Sequence, residues 1–149
     1  MNSDQSNTIS IAPLARSLPF SADVVWGEVR KMDNMEHLSS QIDTVEWFGP
    51  KGVSGEGLMR GGAHAFCERV TAFDDLQRSY SYEVAEGVPA KELTNTIRII
   101  DEGYARCLLV WTSACGGFLP GAEMSEAEFA GFLSAARTEI VDTLHQIMG

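Results

Sequence analysis

The last stretch of the chain, SEAEFAGFLSAARTEIVDTLHQIM over residues 125–148, decides how the fold is read. Ser125 followed by Glu128 is a capping-box pattern, in which each side chain satisfies a backbone N–H that the first helical turn leaves without a partner. Behind it Phe129, Phe132, Leu133, Ala136, Ile140, Leu144 and Ile147 recur every three or four residues, the period of one apolar helix face. At 1.5 Å per residue such a helix runs about 36 Å, enough to cross a whole sheet diagonally.

The preceding residues supply the sheet. Segments 52–60, 64–73, 78–84, 93–100 and 105–114 read as antiparallel strands, with Gly61-Gly62, Asp74-Asp75 and Asp101-Glu102-Gly103 as turns and 86–91 and 115–124 as loops. Further upstream, 8–18 is an edge strand broken by Pro13. Ser21 caps a helix over 22–32, with Asp23 favouring the positive end of its dipole. Residues 34–39 add one or two helical turns before a strand over 41–48. The fold class is α+β, a curved antiparallel sheet of about seven strands wrapped around a long C-terminal helix, with two short helices after the first strand.

A chain of 149 residues and 16.2 kDa is the size of a single domain, here 1–149 with 1–8 as a flexible tail. Its formal charge of −10 repels phosphate backbones and anionic membrane surfaces, so no nucleic-acid partner is expected. No apolar run approaches the roughly 20 residues of a membrane span, so no membrane insertion is expected. Cys67, Cys107 and Cys115 form an odd set without a Cys-x-x-Cys pair, and no signal sequence opens the chain, which reads as a cytoplasmic setting.

Strand alternation then assigns faces. His64, Phe66, Glu68, Val70 and Ala72 share one side of their strand and are taken as inward, with Tyr80, Tyr82 and Val84, with Leu93, Asn95, Ile97 and Ile99, and with Cys107, Leu109, Trp111 and Ser113. Five polar side chains, Glu68, Asn95, Ser113, Tyr80 and Tyr82, therefore point at the apolar stripe of the long helix. Burying such groups without partners costs roughly 2–7 kcal/mol each and far more for a carboxylate, so the space between sheet and helix reads as a wet cavity. The plainer alternative is that Glu68 pairs with an internal arginine.

In order and spacing, several local strings resemble the START-like helix-grip superfamily (SRPBCC), in particular its polyketide cyclase/dehydrase branch and the plant abscisic-acid receptors. Ala22-Asp23-Val24-Val25-Trp26 resembles the start of that family's first helix, Gly55-Glu56-Gly57-Leu58-Met59-Arg60 its glycine-containing strand, and Glu68-Arg69-Val70 with Asp74-Asp75 its next strand and turn. Tyr80-Ser81-Tyr82-Glu83-Val84 follows in register. The resemblance implies that Glu68 is a cavity-facing carboxylate, that Leu93, Asn95 and Trp111 line the pocket, and that Phe132, Ala136 and Ile140 close it. Loops 61–63 and 86–91 would ring the mouth. His37 stands where many relatives carry a tryptophan, the loop at Gly61 is shorter than the receptors' gating loop, and their lysine has no counterpart near 36–40, so hormone sensing is not implied.

A carboxyl desolvated among Phe66, Tyr82 and Trp111 has a raised pKa and can exchange protons near neutral pH, which makes Glu68 the candidate catalytic residue. Asn95 and Tyr82 can hold a developing enolate oxygen. His64 shares the face of Glu68, but four strand residues put about 13 Å between them, so the two can only bracket a ligand. His37 and Arg60 are candidates for the entrance, and Phe66, Tyr80 and Ser113 for the walls. His145 falls in the last turns of the helix and reads as a surface cation. His64 and Cys67 face opposite sides of their strand, no other pair has ligand spacing, and no phosphate-loop fingerprint is present, so neither metal nor other cofactor is expected. Leu108, Val110 and Ile100 leave an outward apolar surface that suits a homodimer. The expected partner is a hydrophobic small molecule. The expected function is binding of an apolar aromatic or polycyclic compound with cofactor-free cyclisation or dehydration, as in natural-product biosynthesis, or, alternatively, non-catalytic carriage or sensing in the same pocket.

Overall fold

The structure, a computed structural model, describes residues 9–119 and 124–149; the expected 1–8 tail and the end of the 115–124 loop lie outside the described residues. Strands β1 (Ile9–Ser10) and β2 (Leu14–Leu18) flank Pro13, and both pair with the same neighbour. Helix α1 (Ala22–Val29) and a 3-10 turn (Met35–His37) follow, then β3 (Thr44–Phe48), β4 (Glu56–Gly61), β5 (His64–Asp74), β6 (Ser79–Ala85), β7 (Ala90–Lys91), β8 (Leu93–Gly103), β9 (Arg106–Cys115), β10 (Gly117–Phe118) and α2 (Glu126–Met148). The sheet runs β1-β9-β8-β6-β5-β4-β3, with β2 also on β9, and every pairing is antiparallel.

The sheet curls around α2, whose Phe129, Val141 and Leu144 are buried against it. Both halves of the capping box form: Ser125 Oγ accepts from the Glu128 backbone N–H at 3.1 Å, and Glu128 Oε1 accepts from the Ser125 N–H at 2.9 Å. The Ser21 hydroxyl caps α1 by accepting from Val24 N at 3.3 Å. That helix is shorter than its sequence predicts, because Met32 adopts φ +62, a left-handed backbone that cannot continue a right-handed helix.

Four further departures have local causes. The turn between β8 and β9 sits at Tyr104-Ala105, with φ +54 and +56, while Asp101 Oδ1 accepts from the Gly103 N–H at 2.8 Å and the ladder shifts register there; β8 is correspondingly longer than expected. A bulge between Val70 and Ala72 reverses the alternation of β5, so Ala72 is exposed and Phe73 packs inward, 5.7 Å between ring centroids from Trp26. The loops expected around 86–91 and after Cys115 pair as a two-stranded ribbon, Gly117 opposite Lys91 and Phe118 opposite Ala90. Ile147, the last member of the expected apolar stripe, is 57% exposed, because the buried row of the last turns runs through Val141, Leu144 and Met148 instead.

Candidate functional site

Register places the polar residues before any side-chain contact is considered. Tyr82 pairs with Asn95 and Asn95 with Ser113, so the three form a row across β6, β8 and β9. Glu68 pairs with Val84, one inward position along from Tyr82 on the neighbouring strand. Between these strands and α2 lies a cavity of about 430 Å3. Its walls include Phe66, Glu68, Tyr82, Leu93, Asn95 and Trp111 from the sheet and Phe129, Phe132, Leu133, Ala136, Arg137 and Ile140 from the helix. The volume is in the range of small-molecule sites, and the lining is apolar apart from a few polar groups.

Two close backbone approaches border the cavity. Gly61 lies against Gln41, where a Cβ would come within 1.7 Å of the carbonyl oxygen. Gly87 adopts φ +76 and lies against Ala65, where a Cβ would stand 1.8 Å from the carbonyl oxygen. Gly61, His64, Gly87 and Val88 line this part of the cavity, as do Met35 and Ile42.

The Glu68 carboxyl has no hydrogen-bonding or ion-pair partner among the described residues, and the surface it retains is in the cavity. Burial alone pushes its pKa up from 4.5 to about 8, so at neutral pH it is mostly protonated. The Tyr82 hydroxyl is also held well above its usual range, by burial first and then by Glu68 and Tyr80, so it is a neutral donor and acceptor.

Beside this pair is a group that the apolar stripe conceals. Arg137 is 3% exposed, and its guanidinium carbon lies 5.4 Å from the centroid of the Trp111 ring. Its Nη2 donates to Asn95 Oδ1 at 2.9 Å and also to Ser113 Oγ, and the Ser113 hydroxyl donates to the same Asn95 oxygen. An arginine only donates, so it fixes the Asn95 amide with Oδ1 toward the helix and leaves the Nδ2 hydrogens for another acceptor. An internal arginine is therefore present, but it clasps Asn95 and Ser113 rather than Glu68.

Residues 14–149 match the protein family described as polyketide cyclase / dehydrase and lipid transport. The chain belongs to this family. Among solved structures, the protein XoxI from Bacillus cereus has a TM-score of 0.79 at 15% identity, covering 93% of this chain and 95% of that one. Norcoclaurine synthase from Thalictrum flavum, solved in complex with dopamine and hydroxybenzaldehyde, has a TM-score of 0.76 at 16% identity, covering 97% of this chain and 90% of that one. At these identities the likeness is one of fold, the helix-grip arrangement. No curated protein sequence matches the chain.

Of the site residues read from sequence, Glu68, Tyr82, Asn95, Phe66, Leu93, Trp111, Phe132, Ala136 and Ile140 line this family member's cavity, and His64 stands exposed at its mouth. Four do not line it. His37 ends the 3-10 turn with its side chain exposed to solvent. Arg60 is on the outward face of β4, 3.9 Å from Glu46. Tyr80 is sealed deeper in the core between Trp26 and Tyr82, at ring distances of 6.2 Å and 5.6 Å. Ser113 is engaged in holding Arg137. Arg137 itself is the member that a reading of apolar positions passes over; the available signal was a charged residue in the stripe, four positions after Leu133 and four before Val141.

Proposed function

We propose that the cavity binds an apolar aromatic or polycyclic small molecule and that Glu68 exchanges protons with it in a cofactor-free cyclisation or dehydration. The observation that carries this reading is a carboxyl without a protein partner, in an apolar chamber, with a pKa of about 8. Such a group is available in both protonation states near neutrality. Its ionised fraction takes a proton from a carbon next to a ligand carbonyl, and the enolate oxygen so formed accepts hydrogen bonds from the Tyr82 hydroxyl and Asn95 Nδ2. The enolate then expels a neighbouring β-hydroxyl, which leaves as water with the proton that Glu68 gives back.

A carrier with the same pocket is the second reading. It is favoured by the engagement of Asn95 Oδ1 and Ser113 with Arg137, which ties these polar groups into the wall. A β-hydroxy aryl ketone offered to the wild type and to Glu68→Gln separates the two. The enzyme reading predicts turnover that falls about 100-fold or more in the variant with nearly unchanged affinity. Equal turnover in both proteins removes Glu68 from the chemistry, and tight binding without turnover supports the carrier.

A further inference from the structure

The acid–base reading leaves the free end of Arg137 unused. Its Nη2 is committed to Asn95 and Ser113, whereas Nη1 is buried with no protein partner. The acidic side chains that follow it on α2 are bound elsewhere: Glu139 accepts from the Ser40 N–H at 2.9 Å, and Asp142 pairs with Arg16 at 2.6 Å. From the sheet side, Glu68 makes no ion pair with it, and Tyr82 presents a neutral phenol. No carboxylate among the described residues neutralises this cation. A protein of net charge −10 thus keeps an uncompensated guanidinium in the wall of its apolar cavity. Isolated buried charge is strongly unfavourable unless a partner or a ligand neutralises it.

We propose that Arg137 is the counter-ion for a carboxylate on the cavity's ligand. This rests on the reading that the cavity takes an aromatic molecule and adds its charge and its orientation. Arg137 and Asn95 both line the cavity, and the unpartnered Nη1 with the Asn95 amide hydrogens forms a small donor set that a planar monoanion can satisfy. A phosphate dianion needs more donors than this wall supplies. The Arg137–Asn95–Ser113 clasp fixes the fork in advance, so the carboxylate end goes to the β8–β9 side under α2 and the ring system lies toward Glu68 and the mouth.

The test compares 2-naphthoate with 2-naphthalenemethanol, an uncharged probe of the same shape, by calorimetry at neutral pH. The wild type is expected to prefer the carboxylate over the alcohol by about ten-fold or more, and in Arg137→Gln the ratio of the two affinities is expected to fall to about one. Equal affinities in the wild type, or a preference that survives in Arg137→Gln, would overturn the proposal while alcohol binding upheld the cavity. Binding of neither probe would overturn both. Should Arg137→Gln fail to fold, the side-chain 15Nε resonance of Arg137 in the wild type decides: it is expected to move with naphthoate and not with the alcohol, and an unmoved resonance at saturation overturns the assignment.

Discussion

Replacing Glu68 by Gln turns the cavity's chemistry into a measurable stability difference. The side chain keeps its size and loses its titration. In the native state burial raises the carboxyl from 4.5 to about 8, so between those values the folded protein holds a proton that the unfolded chain releases. Stability contributed by the protonated form is complete below pH 4.5 and is lost progressively as pH rises through about 8. At 1.36 kcal/mol per pKa unit the loss has a ceiling of about 5 kcal/mol, and water in the cavity reduces it to about 2–4 kcal/mol. The variant has nothing to lose. Urea unfolding of both proteins at several pH values between 4 and 9 gives the difference curve, in which the other titrating groups cancel to first order. Glu68→Gln is expected to match the wild type at the acid end within about 1 kcal/mol and to exceed it increasingly up to pH 8, with a plateau above. Parallel curves, or a wild type that gains on the variant with rising pH, would refute the placement of an unpaired carboxyl in an apolar chamber.

Other perturbations probe the parts that hold this chamber. Asn95→Ala removes the oxygen that receives both Arg137 Nη2 and the Ser113 hydroxyl, and the loss of these two buried hydrogen bonds is expected to cost about 2–4 kcal/mol in chemical denaturation; a loss under 0.5 kcal/mol would contradict the clasp. Gly87→Ala forces a Cβ against the Ala65 carbonyl in a left-handed backbone, and a destabilisation of about 1–3 kcal/mol is expected, with the mouth loop shifted in amide spectra. Ser125→Ala breaks the capping box that starts α2 and is expected to lower the melting temperature by roughly 3 °C, read by circular dichroism. If Glu68 acts as the acid in the slow step, turnover falls above about pH 8, and a profile flat from pH 6 to 10 assigns that step to another group.

The inward face of the sheet is legible because alternation is rigid along each strand: Phe66 goes with Glu68, Asn95 with Leu93, and Trp111 with Leu109, and of these all but Leu109 line the cavity together with Tyr82. Alternation fails at a bulge, and nothing in Val70-Thr71-Ala72 announces one, so Ala72 was assigned to the wrong face. The ribbon of β7 and β10 was illegible for a different reason. Two-residue strands are too short to carry a period, and their pairing is settled by the path of the chain. Arg137 is hidden in a helix face whose other inward members are apolar, yet a long cationic side chain inside such a stripe has to find acceptors, and here Asn95 and Ser113 provide them. Arg60 reads as an entrance residue from its place just before the Gly61-Gly62 turn, but the pairing of β3 with β4 sets it near Glu46, and His37 faces solvent at the end of the 3-10 turn.

The central claim is that the space between sheet and α2 is the ligand site. It is tested most directly by titrating 2-naphthalenemethanol into protein with 13C-labelled methyl groups. The account predicts saturable shifts at Met35, Leu93, Leu133 and Ile140, all of which line the cavity, with none at Leu108 or Val110 on the far face of β9, and loss of the response in Ala136→Trp. Shifts confined to the outer surface, or a response that survives Ala136→Trp, would contradict it.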